Sequence, residues 1–274
     1  MKILQISDTH FSHHIDDEGL VNVLLEQVSI QEKFQQILNH EDLDAFDFMV
    51  VSGDIVHEGT PEDYKTINDM IKNTFDPLPV YYCLGNHDQK SVFYDGMVQI
   101  EGQGNYDHDM VYQDIHFVFM DTAKSQSHSG VYDADQLEWL SQTLDKNNLP
   151  KMIFQHHPIL GGKYFEGFTI EDAQPVLDIL ANYPIIGVFT GHTHSPAVNQ
   201  RGNVLQYTSY ALSFGIEKQA DGSQFFTDTC GYCVIEYDAI QGLTVAPRII
   251  QPQYRVLKET NPQEMDVLNR SYEK

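Results

Sequence analysis

Five short polar clusters hold most of the side chains in this sequence that could do chemistry together. They are Asp8-Thr9-His10, Gly53-Asp54, Gly85-Asn86-His87-Asp88, His156-His157-Pro158 and Gly191-His192-Thr193-His194. Carboxylate, imidazole and amide oxygen form a donor set for Mn, Fe, Zn or Co rather than for Cu(I). One carboxylate shared by two such ions holds them within ~4 Å, a span that fits one phosphoryl group and a bridging hydroxide. One ion then lowers the pKa of bound water, and both stabilise a phosphorane-like transition state. An isolated Asp-x-His or His-His pair is a weak signal. Five clusters in series, each directly after an apolar run, are hard to produce by chance.

The elements that must position these clusters can be read from periodicity. Ile3 to Ile6 is apolar throughout and stops at Ser7-Asp8, as a buried strand would. On an extended chain Asp8 and His10, two apart, point the same way and reach one ion. Apolar residues between Gly19 and Leu38 fall at helical spacing, interrupted near Gln31 to Lys33, which predicts one or two helices. Phe46 to Val51 is the next strand and leads into Gly53-Asp54. Thr60-Pro61-Glu62-Asp63 opens a helix, with Thr60 as cap and Pro61 in its first turn. Val80 to Leu84 then leads into Gly85-Asn86-His87-Asp88. This strand-helix rhythm argues for a mainly parallel sheet covered by helices, with ligands at the carboxyl ends of the strands.

Further along, Met110 to Gln113 and His116 to Asp121 form a hairpin around Asp114-Ile115. Asp133 to Gln136 is a capping box opening a helix anchored by Trp139. Lys151 to Gln155 and Ile185 to Thr190 are strands that end at the two histidine clusters, with a helix over Glu171 to Leu180 between them. Val204 to Tyr210, Gly231 to Asp238 and Leu243 to Ile250 read as antiparallel strands. Residues 1–250 therefore make one domain that includes these C-terminal strands, and residues 251–274 form a polar tail that frays or drapes over the surface.

Composition narrows the partners. The 274 residues carry 40 acids against 16 bases, a formal charge of −24. So acidic a surface repels polyanions, and no Lys/Arg cluster offsets it, which argues against nucleic acid and anionic membranes as partners. An anionic substrate must be small, with its charge met locally by metal ions. No apolar run approaches the ~18 residues of a membrane span. The N-terminal run turns polar too early for a signal-peptide core, so the expected location is cytoplasmic. Cys83 sits in an apolar strand. Cys230 and Cys233 lie in a strand-like segment where i and i+3 face opposite ways, so neither a redox pair nor a zinc site is expected.

The order Asp-x-His, Gly-Asp, Gly-Asn-His-Asp, His, Gly-His-x-His over residues 1 to 200 resembles the calcineurin-like metallophosphoesterase superfamily. It is most similar to the bacterial class III cyclic-AMP phosphodiesterase branch. The opening Ile3 to His10, the segment Gln136 to Leu140, His156-His157-Pro158 and Gly191 to His194 carry that likeness. The resemblance implies an α/β fold, a four-layer α/β/β/α sandwich with two mixed sheets; the strand-helix reading alone does not yield two sheets. It implies two transition-metal ions (Mn, Fe or Zn). Asp8, His10 and His194 would bind the first, Asn86, His156 and His192 the second, and Asp54 would bridge. His87 would stand near the leaving oxygen as a catalytic acid or donor, with Asp88 holding it in position, and His157 would lie beside His156.

The expected function is hydrolysis of a small phosphodiester, 3′,5′-cyclic AMP first, by in-line attack of a metal-bridging hydroxide. The same centre would also serve a glycerophosphodiesterase, a nucleotide-sugar pyrophosphatase or a phosphomonoesterase, and a metal-loaded interaction scaffold is the non-enzyme rival. A homo-oligomer paired through the C-terminal strands or loops is compatible with the chain. His57 is either pocket lining or a loop residue. His13 and His14 are expected in a solvated loop, and His40, His108, His116 and His128 in structural or surface positions. Tyr164, Phe165 and Phe168 could stack a nucleobase or pack their own loop, and Ser209 to Phe214 could face the site.

Overall fold

A computed structural model describes the chain apart from residues 14–23, 26–28, 100, 162–164, 166, 251–253 and 273–274. His14, Tyr164 and the start of the predicted Gly19–Leu38 helical region thus lie outside the described residues.

In chain order the strands are β1 (Lys2–Ile6), β2 (Phe48–Ser52), β3 (Val80–Cys83), β4 (His108–Tyr112), β5 (Ile115–Phe119), β6 (Lys151–Phe154) and β7 (Ile185–Thr190). They continue with β8 (Ala197–Arg201), β9 (Val204–Thr208), β10 (Gly215–Lys218), β11 (Gln224–Thr227), β12 (Gly231–Asp238), β13 (Gly242–Ile249) and β14 (Val256–Thr260). The principal helices are α1 (Ile30–His40), α2 (Pro61–Phe75), α3 (Ala134–Leu144), α4 (Gln174–Leu180) and α5 (Pro262–Tyr272).

Two mixed sheets carry the architecture. One runs β13-β12-β1-β2-β3, with β1, β2 and β3 parallel and β12 and β13 antiparallel. The other runs β4-β5-β6-β7-β9-β8, parallel from β5 to β9 with antiparallel edges. The period-two alternation of strand side chains explains how the layers stack. Ile3, Phe48 and Val50 of the first sheet meet Phe117, Phe119, Met152 and Phe154 of the second in a shared core. The alternate residues Leu4, Ile6, Met49 and Val51 face Phe34, Ile37, Tyr64, Ile67 and Ile71 of α1 and α2. On the far side Val118, Ile153 and Val188 face Leu140, Leu144, Val176, Leu177 and Leu180 of α3 and α4. The result is the four-layer α/β/β/α sandwich. Because both faces of the central strands are buried, they read as unbroken apolar runs.

The local signals act as expected at two helix starts. Thr60 and Asp63 form a complete capping box on α2, and Asp133 and Gln136 form one on α3. The β4–β5 hairpin forms one residue earlier than expected: Gln113 and Asp114, at φ 45° and 62°, make the turn. Left-handed residues at both central positions match the twist of a two-residue hairpin.

The C-terminus departs from the sequence reading. Val256–Thr260 pairs with β11 in a third sheet, β10-β11-β14, and Pro262–Tyr272 is a helix. Phe214, Phe226, Leu24 and Leu25 form a satellite core there, with Ile216, Leu257 and Met265 packed against it. A few apolar residues on otherwise polar strands are enough to hold this segment down. Among the described residues no helix is long and apolar enough to cross a membrane. All three cysteines are buried, and none of them forms a disulfide.

Candidate metal centre

The carboxyl ends of β1, β2 and β3 in one sheet meet those of β6 and β7 in the other, and the five clusters converge there. Backbone bonds lock them in series: Asp8 N donates to Gly53 O, His10 N to Asp54 O, and Gly191 N to His156 O. Gln5 Nε2 donates to Ser52 Oγ at 2.9 Å and across the sheets to Thr190 O at 3.2 Å. Two motif glycines are required by closeness. A Cβ on Gly85 would collide with the Asp54 carboxylate, and one on Gly191 with Ser7 Oγ and Asp8 Oδ2.

Asp8, His10, Asp54, His192 and His194 all take φ between 45° and 74°. Non-glycine residues rarely adopt this region, and where they do the surroundings must over-determine it. Asp8 and His10 therefore reach one cluster through left-handed kinks, not through the extended chain the sequence predicts. The kinks turn side chains off the strand ends and into the gap between the sheets.

The cluster has two halves. In one, His194 Nε2 lies 3.1 Å from His10 Nε2 and 3.3 Å from Asp8 Oδ1. In the other, His156 Nε2 lies 3.1 Å from His192 Nδ1. Asp54 stands between them, with Oδ2 3.5 Å from His10 Nε2 and 3.2 Å from His156 Nε2. The two histidines of Gly-His-x-His are thus divided, one to each half. Asn86 is buried on the turn that follows β3. His192 N donates to both oxygens of Asp8, at 3.0 and 3.2 Å, and His87 N donates to Asp54 Oδ1 at 3.0 Å.

The tautomers test whether a cation fits. His194 Nδ1–H donates to Phe214 O and His156 Nδ1–H to Ser52 O, both at 2.8 Å. A neutral imidazole that donates through Nδ1 presents a bare lone pair at Nε2. The Nε2 edges of both rings therefore face other ring nitrogens and carboxylate oxygens inside a buried site, as ligand atoms would. Backbone carbonyls that take the Nδ1–H of an imidazole and turn its Nε2 inward are the usual support for metal ligands. Asp8, His10 and His194, and Asp8, Asp54 and His156, each bring ligand atoms within 4.8 Å of one another. The residues fit two ions.

Charge tells the same story. Burial would raise the Asp54 carboxyl, but the charge and hydrogen bond of His156 outweigh it and hold it well below the ordinary carboxylate range. Burial opposes a charge on His156, yet Asp54 pushes its pKa up to about 9. This Asp54–His156 ion pair supplies, with a proton, the positive charge a metal ion would otherwise bring. Burial lowers His10 and His192 well below the usual histidine range and brings His87 down to about 3, so these rings are neutral at pH 7.

Several residues stand elsewhere than sequence suggests. Asp88 accepts from Gly85 N at 2.9 Å, Ile55 N at 3.2 Å, Val56 N at 3.3 Å and Tyr64 Oη at 2.8 Å. Its carboxylate frames the Asp54 and Asn86 turns, whereas the resemblance assigns it to His87. Burial, then Asp54, pushes its pKa up to about 7. His57 lines the cluster: its Nδ1 is 3.3 Å from His10 Nδ1, and its ring is 4.5 Å from that of His87. His13 stays half-exposed and its N–H donates to Asp63 Oδ1 at 2.8 Å. His116 is buried against Asp109 at 2.8 Å, and His108 stacks on Phe119, both structural as expected.

His128, expected in a structural or surface position, lies within electrostatic reach of His87, His157 and His192, with its ring 5.4 Å from Phe168. Phe168 in turn lies 5.9 Å from His192, and Phe214 packs 4.4 Å from His194. Lys33 also escapes sequence reasoning. Buried on α1, it donates to Leu212 O at 2.8 Å and to Ser213 O, clamping the loop whose Phe214 carbonyl orients His194.

The family model for calcineurin-like phosphoesterases matches residues 1–196. A probable cyclic nucleotide phosphodiesterase of Fibrobacter succinogenes is 28% identical over 227 residues, 79% of this chain and 82% of that one. The glycerophosphodiester phosphodiesterase GpdQ of Enterobacter lignolyticus is 27% identical over 210 residues, 73% of each chain. Among solved structures, a dimetal phosphatase from Danio rerio superposes with a TM-score of 0.65 at 12% identity, covering 92% of this chain and 96% of the other. That likeness concerns the fold alone.

Proposed function

This chain belongs to the calcineurin-like phosphoesterase family, an enzyme family built on a dinuclear metal centre, and from that premise we propose that it hydrolyses small phosphodiesters, with 3′,5′-cyclic AMP the first substrate. The observation that carries the reading is the convergence of imidazole nitrogens and two buried carboxylates in two adjoining halves. Asp8, His10 and His194 would hold one ion, Asn86, His156 and His192 the other, and Asp54 both. When bound, the ions supply Lewis-acid charge to the phosphoryl oxygens and activate water.

The chain's own groups do the rest. His87 N donates to Asp54 and His192 N to Asp8, which fixes both carboxylates in place. His87, neutral and packed edge-on against His10 at 5.0 Å, keeps a proton on its imidazole and donates it as a hydrogen bond to the departing oxygen. Tyr64 and Asp88 hold the turn that carries it.

Cyclic AMP is favoured by the name of the Fibrobacter relative and by the aromatic face of Phe168 close to His192. A glycerophosphodiester is the second reading, because the GpdQ relative matches a comparable share of the chain. The test is hydrolysis by Mn-loaded protein of cyclic AMP, a glycerophosphodiester, bis-p-nitrophenyl phosphate and p-nitrophenyl phosphate side by side. Preference for cyclic AMP supports the first reading and preference for the glycerol ester the second. Cleavage of the monoester alone would refute both.

A further inference from the structure

His157 is an imidazole of the centre that the proposed ligand set leaves without a task. It is fully buried beside His156 and His192, with ring centroids 4.9 and 4.6 Å away. Thr122 decides where its proton sits. Thr122 Oγ1 accepts from His157 N at 3.3 Å and lies 2.8 Å from His157 Nδ1. A hydroxyl has one proton to give. Were Nδ1 protonated, Thr122 would accept twice and its own buried proton would have no acceptor, which is the costly arrangement. With the hydroxyl donating to Nδ1, every polar atom of that side chain is satisfied. The neutral ring is then the tautomer with its proton on Nε2.

That Nε2–H is buried and meets no acceptor in the protein. The opposite edge of the ring is closed, because Gly130 packs so tightly there that a Cβ would stand 2.7 Å from Nδ1. One ring nitrogen each of His156, His157 and His192 lies within 4.8 Å of the others, so the ring borders that half of the cluster. A protonated nitrogen cannot ligate a cation, but it can donate to an anion held by one.

We propose that His157 is a substrate-binding donor, its Nε2–H aimed at a non-bridging oxygen of the phosphoryl group in the His156–His192 half, with Thr122 as the positioning residue that sets its tautomer. This deepens the phosphodiesterase reading and rests on it. The test compares wild type, His157→Phe, His157→Gln and Thr122→Val, each loaded with Mn²⁺. Ions per chain are counted by elemental analysis, and inorganic phosphate is titrated calorimetrically. The expected result is two ions per chain throughout. Phosphate should bind about tenfold or more weakly to His157→Phe, with partial recovery in His157→Gln, whose amide still donates, and a several-fold loss in Thr122→Val.

Loss of one ion per chain in both His157 variants would make the residue a ligand and overturn the proposal. Phosphate affinity equal to wild type in the variants would overturn it as well. If His157→Phe does not fold, His157→Gln and Thr122→Val are judged by the same two readouts. A wild type that holds fewer than two ions or does not bind phosphate refutes the metal reading itself, and this proposal with it.

Discussion

Tyr64 Oη donates to Asp88 Oδ1 at 2.8 Å, tying the first turns of α2 to the loop that carries His87. The same carboxylate accepts the N–H groups of Ile55, Val56 and Gly85, so one buried side chain joins the Asp54 turn to the Asn86 turn. Asp88→Ala would strand all four donors and is expected to cost roughly 3 kcal/mol or more. Tyr64→Phe removes one donor and should cost about 1–2 kcal/mol. Urea denaturation of both variants checks the ranking. Turnover by folded Tyr64→Phe should stay within a few-fold of wild type, since the backbone donors still hold the turn.

Two ions would fill the gap between the clustered imidazoles and carboxylates. Removing them with a chelator should lower the melting temperature, because a ligand bound only by the folded state stabilises it by RT ln(1 + [L]/Kd). Restoring Mn²⁺ should return it. Asn86→Ala and His194→Ala should each bind fewer ions, lose about 100-fold or more in turnover, and still unfold cooperatively. A metal count, a thermal melt and an assay on the same samples check this. Full activity in both variants would overturn the ligand assignment.

Acidity outside the centre gives a signed pH effect. The Asp107 carboxylate accepts from Asp121 N at 2.7 Å and from Gln136 Nε2 at 3.0 Å, and burial pushes its pKa up from 3.8 to about 6. Between these values the folded protein keeps a proton that the unfolded chain has lost. Stability from this group is therefore largest below about pH 4, falls as pH rises through about 6, and is level above. Asp107→Asn cannot ionise, so its stability relative to wild type should improve by about 2 kcal/mol from pH 4.5 to pH 7. Urea titrations of the pair at both pH values, at one Mn²⁺ concentration, measure that difference, and the contributions of groups that do not interact with Asp107 cancel in it.

Legibility in the sequence followed the physics of burial. Strands buried on both faces appear as apolar runs, so β1, β2, β3, β6 and β7 and the clusters at their ends could be read directly. The third sheet could not. Gly215–Lys218 and Val256–Thr260 mix charged and apolar residues, because one small satellite core is all they cover. The resemblance assigns Asp88 to His87, but its side chain turns inward to backbone donors that lie 32 and 33 residues away at Val56 and Ile55. Lys33 and His128 carry no local signal. Tertiary folding alone brings the Leu212–Ser213 carbonyls to one and the histidine cluster to the other.

His87 offers the sharpest test of chemistry against scaffold. Burial holds its pKa near about 3, so at pH 7 it is a neutral donor and not a charged acid. A donor helps most where charge builds on the departing oxygen. An alkoxide leaving group, as in cyclic AMP, needs that help; p-nitrophenolate, already stable as an anion, needs little. His87→Ala should therefore slow hydrolysis of cyclic AMP about 100-fold or more, and that of bis-p-nitrophenyl phosphate by about tenfold or less. The ratio of the two losses is the readout, because a variant that merely disturbed the neighbouring Asp54 would slow both substrates alike. Equal losses would remove His87 from the leaving-group side of the reaction.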